Sequence, residues 1–252
     1  ALATVISQAF SALYCFFAVR KIDIVHITKE DFQTVPGLNR KLLTLGTPIL
    51  FQDVIISVGG LVVQFVVNGY GFLFVAGFTA TNKLYGILEM AAISYGYAII
   101  TYVGQNLGAG RISRIKIGVR ASAVLAFLTS AFISVIMYVF GRHILTAFIS
   151  GDPSQTEQVL GIAWHYLSIM ASVLCILYFL HVYRSALQGL GNTIIPMVSG
   201  IIEFFVRVGV ALFLPMFMGQ NGIFYAEIAA WTGAAVLLAP SYYVNIKKYR
   251  DS

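Results

Sequence analysis

Seven long apolar stretches, separated by glycine and proline breakers, dominate the sequence. Each is long enough to cross the hydrocarbon core of a bilayer as a helix, which takes about 20 mostly apolar residues. The apolar runs are continuous and do not alternate with a period of two, which favours helices over a membrane barrel. The predicted spans cover approximately residues 1–19, 45–68, 72–103, 117–140, 157–183, 194–218 and 222–245.

The amino-acid composition agrees with a chain that lies mostly in lipid. Hydrophobic residues make up 59% of the 252 residues and charged residues only 10%, against about 45–50% and about 25% in ordinary globular domains. So few charges cannot cover a water-facing surface on a chain of this length. The predicted fold class is therefore all-α, a polytopic membrane helix bundle with seven transmembrane helices, and soluble enzymes are excluded.

The basic residues predict how the bundle is oriented. If successive spans alternate in direction, 13 of the 16 lysines and arginines fall on one side of the membrane, Arg184 among them. Arg142 falls on the other side, whereas Lys83 and Arg207 lie within spans. Because an excess of Lys and Arg marks the cytoplasmic side, we expect a multi-pass protein of a plasma membrane, bacterial in origin, with a cytoplasmic C-terminus.

The lengths of the connections predict the domain organisation. A long connection follows the first span, and its Leu38, Leu42 and Leu45 share one helical face, which predicts a short helix on the membrane surface. An odd number of spans that starts at Ala1 within an apolar run leads us to expect part of a larger protein. The predicted domains are the last helix of a first lobe (1–20), an inter-lobe linker with the surface helix (21–44) and a second six-helix lobe (45–252).

Five motifs, in order along the chain, resemble those of one transporter family. The run GQNLGAGR at 104–111 resembles the signature after the second helix of each lobe in the multidrug and toxic compound extrusion (MATE) family. The others are ALATVISQ at 1–8, LGTP at 45–48 with Gln52, Arg184 with LQGLGN at 187–192, and SGIIE at 199–203 with Arg207 and Trp231. The resemblance implies a twelve-helix antiporter of two six-helix lobes, of which this chain holds helices 6 to 12.

Ionisable side chains within the spans are the candidates for function, because a charge at the bilayer centre costs about 2.5–3.5 kcal/mol on insertion scales. Asp53 follows Gln52 near the middle of its span, and Glu89 lies midway along the next one, near Asn82 and Tyr85. Burial favours the protonated form of a carboxylic acid, so Glu89 is expected to bind a proton near neutral pH. Asp53 is either a proton- or cation-binding group or a structural hydrogen-bond partner.

Glu203 and Arg207 lie four residues apart on one face of a predicted helix. We expect this pair to neutralise its own charges and to be mainly structural, although it could open during transport. Glu227 lies near the outer end of the last span and is expected to be solvated. No catalytic residue and no metal ligand is predicted. The hypothetical path for substrate and coupling ion consists of Gln52, Asp53, Asn82, Tyr85, Glu89, Glu203 and Arg207.

The chain departs from the resemblance at two positions. Some relatives carry acidic residues in the seventh and tenth helices that contribute to sodium binding in the second lobe, and this sequence has Ile56 and Leu177 there. A sodium site of that kind is therefore not expected in these residues. Proton coupling through an acidic residue of the first lobe is the favoured expectation, and Asp53 and Glu89 are alternatives within this chain.

The resemblance implies a secondary active antiporter that exports lipophilic, often cationic compounds and is driven by a proton or sodium gradient. It requires no cofactor beyond the coupling ion, and its partners are membrane lipid, the small-molecule cations and the missing first lobe, with no nucleic acid. The alternative in the same superfamily is a lipid-linked oligosaccharide flippase, which needs a cavity ringed with arginine.

Two further classes stay open. An intramembrane enzyme would have Asp53 and Glu89 as its only candidate residues, and the sequence contains no HExxH, GxSxG or Walker motif. The other class is a half-length protein that assembles with a second chain, or a fragment that has no function.

Overall fold

The computed structural model is helical throughout the residues that it describes, which are 2–22, 33, 36–149 and 151–250. The chain divides into two compact units, Ala1–Leu43 and Thr44–Ser252. Part of the predicted linker 21–44 lies outside the described residues, and its place between two lobes stays a prediction.

The described part of the chain contains nine α-helices and one short 3-10 helix, Gly219–Phe224. The α-helices are α1 (Leu2–Arg20), α2 (Leu38–Asn68), α3 (Phe72–Gly108), α4 (Ile112–Thr146), α5 (Pro153–Ser172), α6 (Leu174–Gly189), α7 (Ile194–Phe213), α8 (Pro215–Met218) and α9 (Tyr225–Ile246).

Helix α1, in the first unit, is apolar along its whole length and has no buried side chain. Large residues such as Leu2, Phe10 and Tyr14 are exposed around it. Its only charged residue is Arg20 in the last turn, whose guanidinium lies 5.0 Å from the ring centre of Phe16. A helix that is hydrophobic on every face is stable only when lipid or other protein surrounds it.

Residues 38–45, which were predicted to form a separate surface helix, are the first turns of α2 instead. The helix starts after Gly37, whose φ of +82° turns the chain, and continues through Pro48 without interruption. Proline removes one backbone hydrogen bond from a helix interior, and membrane helices tolerate this where neighbouring groups compensate. The surface helix and the second span are therefore one 31-residue helix.

Among the described residues, five helical stretches are long and apolar enough to cross a membrane, or six when α5 and α6 count together as one bent span. One of the five is the 53-residue stretch Ile194–Ile246. At about 1.5 Å per residue it would extend far beyond a hydrocarbon core of roughly 30 Å. It turns back at Gly219, where φ is +63°, so that α7 packs along α9. Counted as two helices, this stretch brings the total to the predicted seven.

Stacked aromatic rings form part of the core of the second unit. Tyr166 of α5 lies between Phe78 of α3 and Phe224 of the 3-10 helix, with both centroid distances at 4.9 Å. Phe74 of α3 stacks on Phe224 at 5.5 Å and lies 6.4 Å from Phe78, so the four rings form a closed cluster. Aromatic pairs at these distances contribute about 0.5–1.5 kcal/mol each beyond the area they bury. The stack holds the 3-10 helix inside the bundle, so α9 starts among the other helices.

Glycines allow α3 and α6 to approach closely. A Cβ atom at Gly96 would lie 2.8 Å from Oγ of Ser185, and one at Gly189 would lie 2.8 Å from Cβ of Val103. Small residues at such contacts are the usual way in which membrane helices pack tightly. The contact fixes α6 against α3 and carries Arg184, the neighbour of Ser185, into the bundle.

The single span predicted over residues 157–183 is bent by 52° between α5 and α6, at Val173. Carbonyl groups near the bend accept hydrogen bonds from α4. Oγ of Ser134 donates to the carbonyl of Ala171 at 2.7 Å, and the Tyr138 hydroxyl donates to the carbonyl of Ser168 at 2.9 Å. Backbone groups in hydrocarbon need such partners, so α4 stabilises a bend that contains neither glycine nor proline.

The two glycine-rich turns of the sequence share one backbone structure. Gly110 after α3 has φ of +68° and Gly191 after α6 has φ of +79°. In both turns the glycine donates its N–H to the carbonyl three residues earlier, and the next residue donates to the carbonyl five residues earlier, at 2.9–3.0 Å. This is the Schellman arrangement, which satisfies the last carbonyls of a helix. The ends of α3 and α6 are thus capped in the same way.

Candidate functional site

A network of buried ion pairs begins between α6 and α7. Glu203 of α7 forms an ion pair with Arg184 of α6, and the same arginine donates to the Ser199 hydroxyl at 3.2 Å. The side chains of Arg184 and Glu203 are only 9% and 4% exposed. An unpaired charge in such surroundings costs several kcal/mol, so each partner depends on the other.

Arg207 extends the network to α9 and α2. Its Nη2 lies 2.8 Å from Oε2 of Glu227 and 3.8 Å from Oε2 of Glu203. Its Nη1 donates to the carbonyl of Ile56 at 3.1 Å. Helix α2 can come this close because Gly59 lacks a side chain: a Cβ atom there would lie 3.3 Å from Nη1. One arginine therefore links three helices.

Glu89 of α3 lies beside the network. Its carboxyl group interacts with the hydroxyl of Tyr85, one turn earlier, and electrostatically with Glu227 and Arg207. The Tyr85 ring stacks on Trp231 of α9, with the ring centres 5.6 Å apart. This stacking places Glu89, the only carboxyl group of α3, next to the charges of α7 and α9.

The charges of the network do not balance. Glu89, Glu203 and Glu227 are three carboxyl groups, and Arg184 and Arg207 are two guanidinium groups. With every group ionised the sum is −1, and one bound proton makes it zero. The Nε atoms of both arginines are buried and have no hydrogen-bond partner among the described residues. These two Nε groups are donors that the described residues leave unused.

A polar cavity of about 300 Å³ opens between α2, α3 and α6. Gln188 donates to Oε1 of Gln52 at 3.5 Å, and Gln52 donates to Oδ1 of Asp53 at 3.4 Å. Arg184 belongs both to the cavity wall and to the buried network, so a charge that enters the cavity acts directly on the Arg184–Glu203 pair. The polar lining consists of Gln52, Asp53, Tyr97, His181, Arg184, Ser185 and Gln188.

The structure places six of the seven predicted path residues in two groups, and Asn82 in neither. Gln52 and Asp53 line the cavity, where Asp53 is exposed and Gln52 is buried. Asn82 is half-buried on α3, one turn before Tyr85. It does not line this cavity, and it does not belong to the ion-pair network described above. The transport roles of all seven residues stay predictions. Of the other predicted path residues, Glu203 and Arg207 belong to the network, and Tyr85 and Glu89 lie beside it.

Three expectations about charged residues need correction, although Glu203 and Arg207 do form the predicted ion pair at 3.8 Å. Glu227 is not solvated: its side chain is 18% exposed and paired with Arg207, because the 3-10 helix carries the start of α9 into the bundle. Arg184 is not a connection residue but is buried at 7% exposure, since α6 continues to Gly189. Glu203 and Arg207 do not form a self-contained pair, because each has a closer partner on another helix.

The structure shows what surrounds Ile56 and Leu177, the two positions that depart from the family pattern. Ile56 supplies the backbone carbonyl that Arg207 binds, and Leu177 is buried in the core at 1% exposure. Across the described residues, no group of three or more His, Cys, Asp or Glu side chains is arranged to hold a metal ion.

Apolar helices with charges buried between them define a multi-pass membrane protein. A family model described as MatE matches residues 48–213. The chain therefore belongs to the MATE family, whose members are transporters and not enzymes.

Similar proteins agree with this assignment. The chain is 27% identical to the probable multidrug resistance protein YpnP of Bacillus subtilis over 88% of its own length and 49% of that protein. It is 25% identical to YoeA, a second probable multidrug resistance protein of B. subtilis, over 83% and 45%. A solved MATE transporter of Vibrio cholerae, VcmN, has the same fold with a TM-score of 0.85 at 16% identity, over 99% of this chain and 56% of that one. The chain thus spans about half the length of these relatives.

Proposed function

We propose that the protein containing this chain is a secondary active antiporter that exports lipophilic, often cationic compounds and is driven by an ion gradient. Membership of the MATE family supports this proposal, as does the naming of two relatives as probable multidrug resistance proteins. None of the relatives reported above is named as a flippase. In the whole protein, two lobes would rock about a central cavity, as in other transporters built from repeats.

The observation that carries the proposal for this lobe is the uneven charge of the buried network next to a polar cavity. Both arginines are paired with Glu203 and Glu227, so Glu89 is the carboxyl group left to exchange a proton. Its neighbours are Tyr85, Glu203, Glu227 and Arg207. A proton on Glu89 would neutralise the network, whereas its release would leave a negative charge that attracts a cation.

Charge in the cavity would also act on the network through Arg184. A cationic substrate near Asp53 would repel Arg184 and strengthen its pairing with Glu203. Substrate and proton would then influence each other's binding without sharing a site, which is the thermodynamic basis of coupling.

The experiment uses the full-length protein in everted membrane vesicles. Transport of a fluorescent cationic dye across the vesicle membrane is followed under an imposed proton gradient and then under a sodium gradient, for the wild type and for Glu89→Gln. We expect dye movement driven by protons and at least a tenfold lower initial rate in the variant. Glu157→Gln is the matched control, because this carboxylate pairs with Arg142 at an exposed position, and its rate should equal that of the wild type.

Two outcomes would contradict parts of the proposal. Normal proton-driven movement in Glu89→Gln would remove Glu89 from the coupling path and place coupling in the rest of the protein. Absence of dye movement under both gradients, in a protein that is folded and inserted, would contradict drug export itself.

A further inference from the structure

A second cavity, separate from the ion-pair network, is surrounded by basic side chains. It has a volume of about 210 Å³ and lies between the first turns of α4 and the end of α9. Its described lining consists of Lys116, Arg120, Tyr242, Tyr243, Ile246 and Lys247. Three of these six residues are basic and none is acidic.

The three bases have no acidic counterpart in the described part of the chain. None of Lys116, Arg120 and Lys247 belongs to an ion pair there. Lys116 and Arg120 are four residues apart on one helix, a spacing at which like charges repel each other. Gathering three positive charges around one cavity is therefore unfavourable until an anion occupies it.

Tyr242 provides an independent indication of a missing partner. Its side chain is only 1% exposed, and its hydroxyl oxygen is buried without a hydrogen-bond partner among the described residues. The residue lines the cavity and interacts electrostatically with Arg120. A buried hydroxyl without a partner is unfavourable, and a bound oxyanion would supply the missing acceptor.

The surface of α4 beyond the cavity indicates which kind of anion fits. Lys116 and Arg120 are followed, in the same steps of four residues, by Val124 and Leu128, which are 59% and 56% exposed. Residues at this spacing form one stripe along a helix. The stripe is basic at one end and apolar at the other. This order matches a phospholipid, whose phosphate is anionic and whose acyl chain is apolar. Tyr243, at the same end of the bundle, belongs to the residue type that is enriched at membrane interfaces.

We propose that this cavity is a binding site for the phosphate headgroup of an anionic phospholipid, whose acyl chain lies along the apolar part of the α4 stripe. Basic pockets between transmembrane helices are known to hold such headgroups. The site is independent of the transport proposal, because it shares no residue with the ion-pair network or with the polar cavity.

The test measures lipid binding to the purified, delipidated full-length protein by native mass spectrometry. Phosphatidylglycerol is titrated against the wild type, a double variant with Lys116→Gln and Arg120→Gln, and a control variant with Lys248→Gln. Each base near a membrane surface contributes a factor of about five, equivalent to about 1 kcal/mol. We expect the double variant to bind about 25-fold more weakly and the control variant to differ from the wild type by less than twofold.

Further measurements separate the possible sources of phosphate. Phosphatidylcholine should bind the wild type at least tenfold more weakly than phosphatidylglycerol, and inorganic phosphate should compete only at concentrations far above that of the lipid. Equal losses in the Lys248→Gln control would show a diffuse surface effect and overturn the proposal. Competition by inorganic phosphate at the lipid's own concentration would overturn the lipid as the occupant. Both altered side chains are exposed, and the unfolding temperature without lipid checks that the double variant is folded.

Discussion

Breaking the pair between Arg184 and Glu203 gives a quantitative test of the buried network. The change Arg184→Leu removes the principal partner of a carboxylate that is 4% exposed. What is left for Glu203 is Arg207 at 3.8 Å, which is already engaged by Glu227 at 2.8 Å. Removing one member of a buried ion pair costs about 3–5 kcal/mol. We expect a loss of about 3 kcal/mol in the free energy of unfolding, since Arg207 compensates in part.

The double variant Arg184→Leu with Glu203→Leu should recover much of this loss. It removes both charges of the pair and leaves the pair of Arg207 and Glu227, which is balanced. Replacing a buried ion pair with apolar side chains is often neutral or stabilising. The double-mutant cycle should therefore give a coupling energy of about 2 kcal/mol or more between the two positions.

The assay is reversible denaturation of the purified full-length protein in mixed micelles, followed by tryptophan fluorescence. Arg142→Leu is the matched control, because Arg142 and Glu157 form an ion pair whose side chains are 52% and 67% exposed. Such surface pairs contribute about 0–1 kcal/mol. The free energies of unfolding lost in Arg184→Leu and in Glu203→Leu are compared with the loss in the double variant. If the two single losses simply add, the two side chains are not energetically coupled, and the network does not stabilise the bundle as we argue.

Two further predictions concern the packing of the second unit. Gly189→Ala should lower the unfolding temperature, because the new Cβ would lie 2.8 Å from Cβ of Val103 and overpacking costs about 1–3 kcal/mol. Gly161→Ala meets nothing within 4 Å and should leave the temperature unchanged or raise it, so equal losses in both would refute the packing argument. Ser134→Ala should destabilise the protein by about 1 kcal/mol, because it removes the hydrogen bond to the carbonyl of Ala171. Denaturation in micelles measures this, and a stability equal to that of the wild type would contradict a role of Ser134 at the bend.

The sequence was sufficient to predict the all-helical membrane fold, because long apolar runs between glycine and proline breakers leave few alternatives. Gly110 and Gly191 mark the ends of α3 and α6 where the structure has left-handed turns. The bend at Val173 could not be predicted, since neither a glycine nor a proline marks it. It depends on hydrogen bonds from α4, which are contacts between residues 30 and 37 positions apart.

The charged site was predicted less completely for the same reason. Depth was counted along each span, which correctly placed Glu89, Glu203 and Arg207 within the helices. Arg184 and Glu227 were missed because both lie near the ends of predicted spans, where a charge normally faces water. Only the packing of α6 on α3 and of the 3-10 helix on Tyr166 carries them inside. No pattern near Arg184 or Glu227 in the sequence marks either residue as buried.

The hydrogen bonds at the bend have a mechanical consequence for any movement of the lobe. Moving α4 away from α5 would break the hydrogen bonds that Ser134 and Tyr138 donate, each of which contributes about 1 kcal/mol. Thermal energy is about 0.6 kcal/mol, so the two bonds together oppose a sliding motion at this contact. Helices α4 and α5 are therefore expected to move together, and larger displacements are expected at other contacts of the bundle.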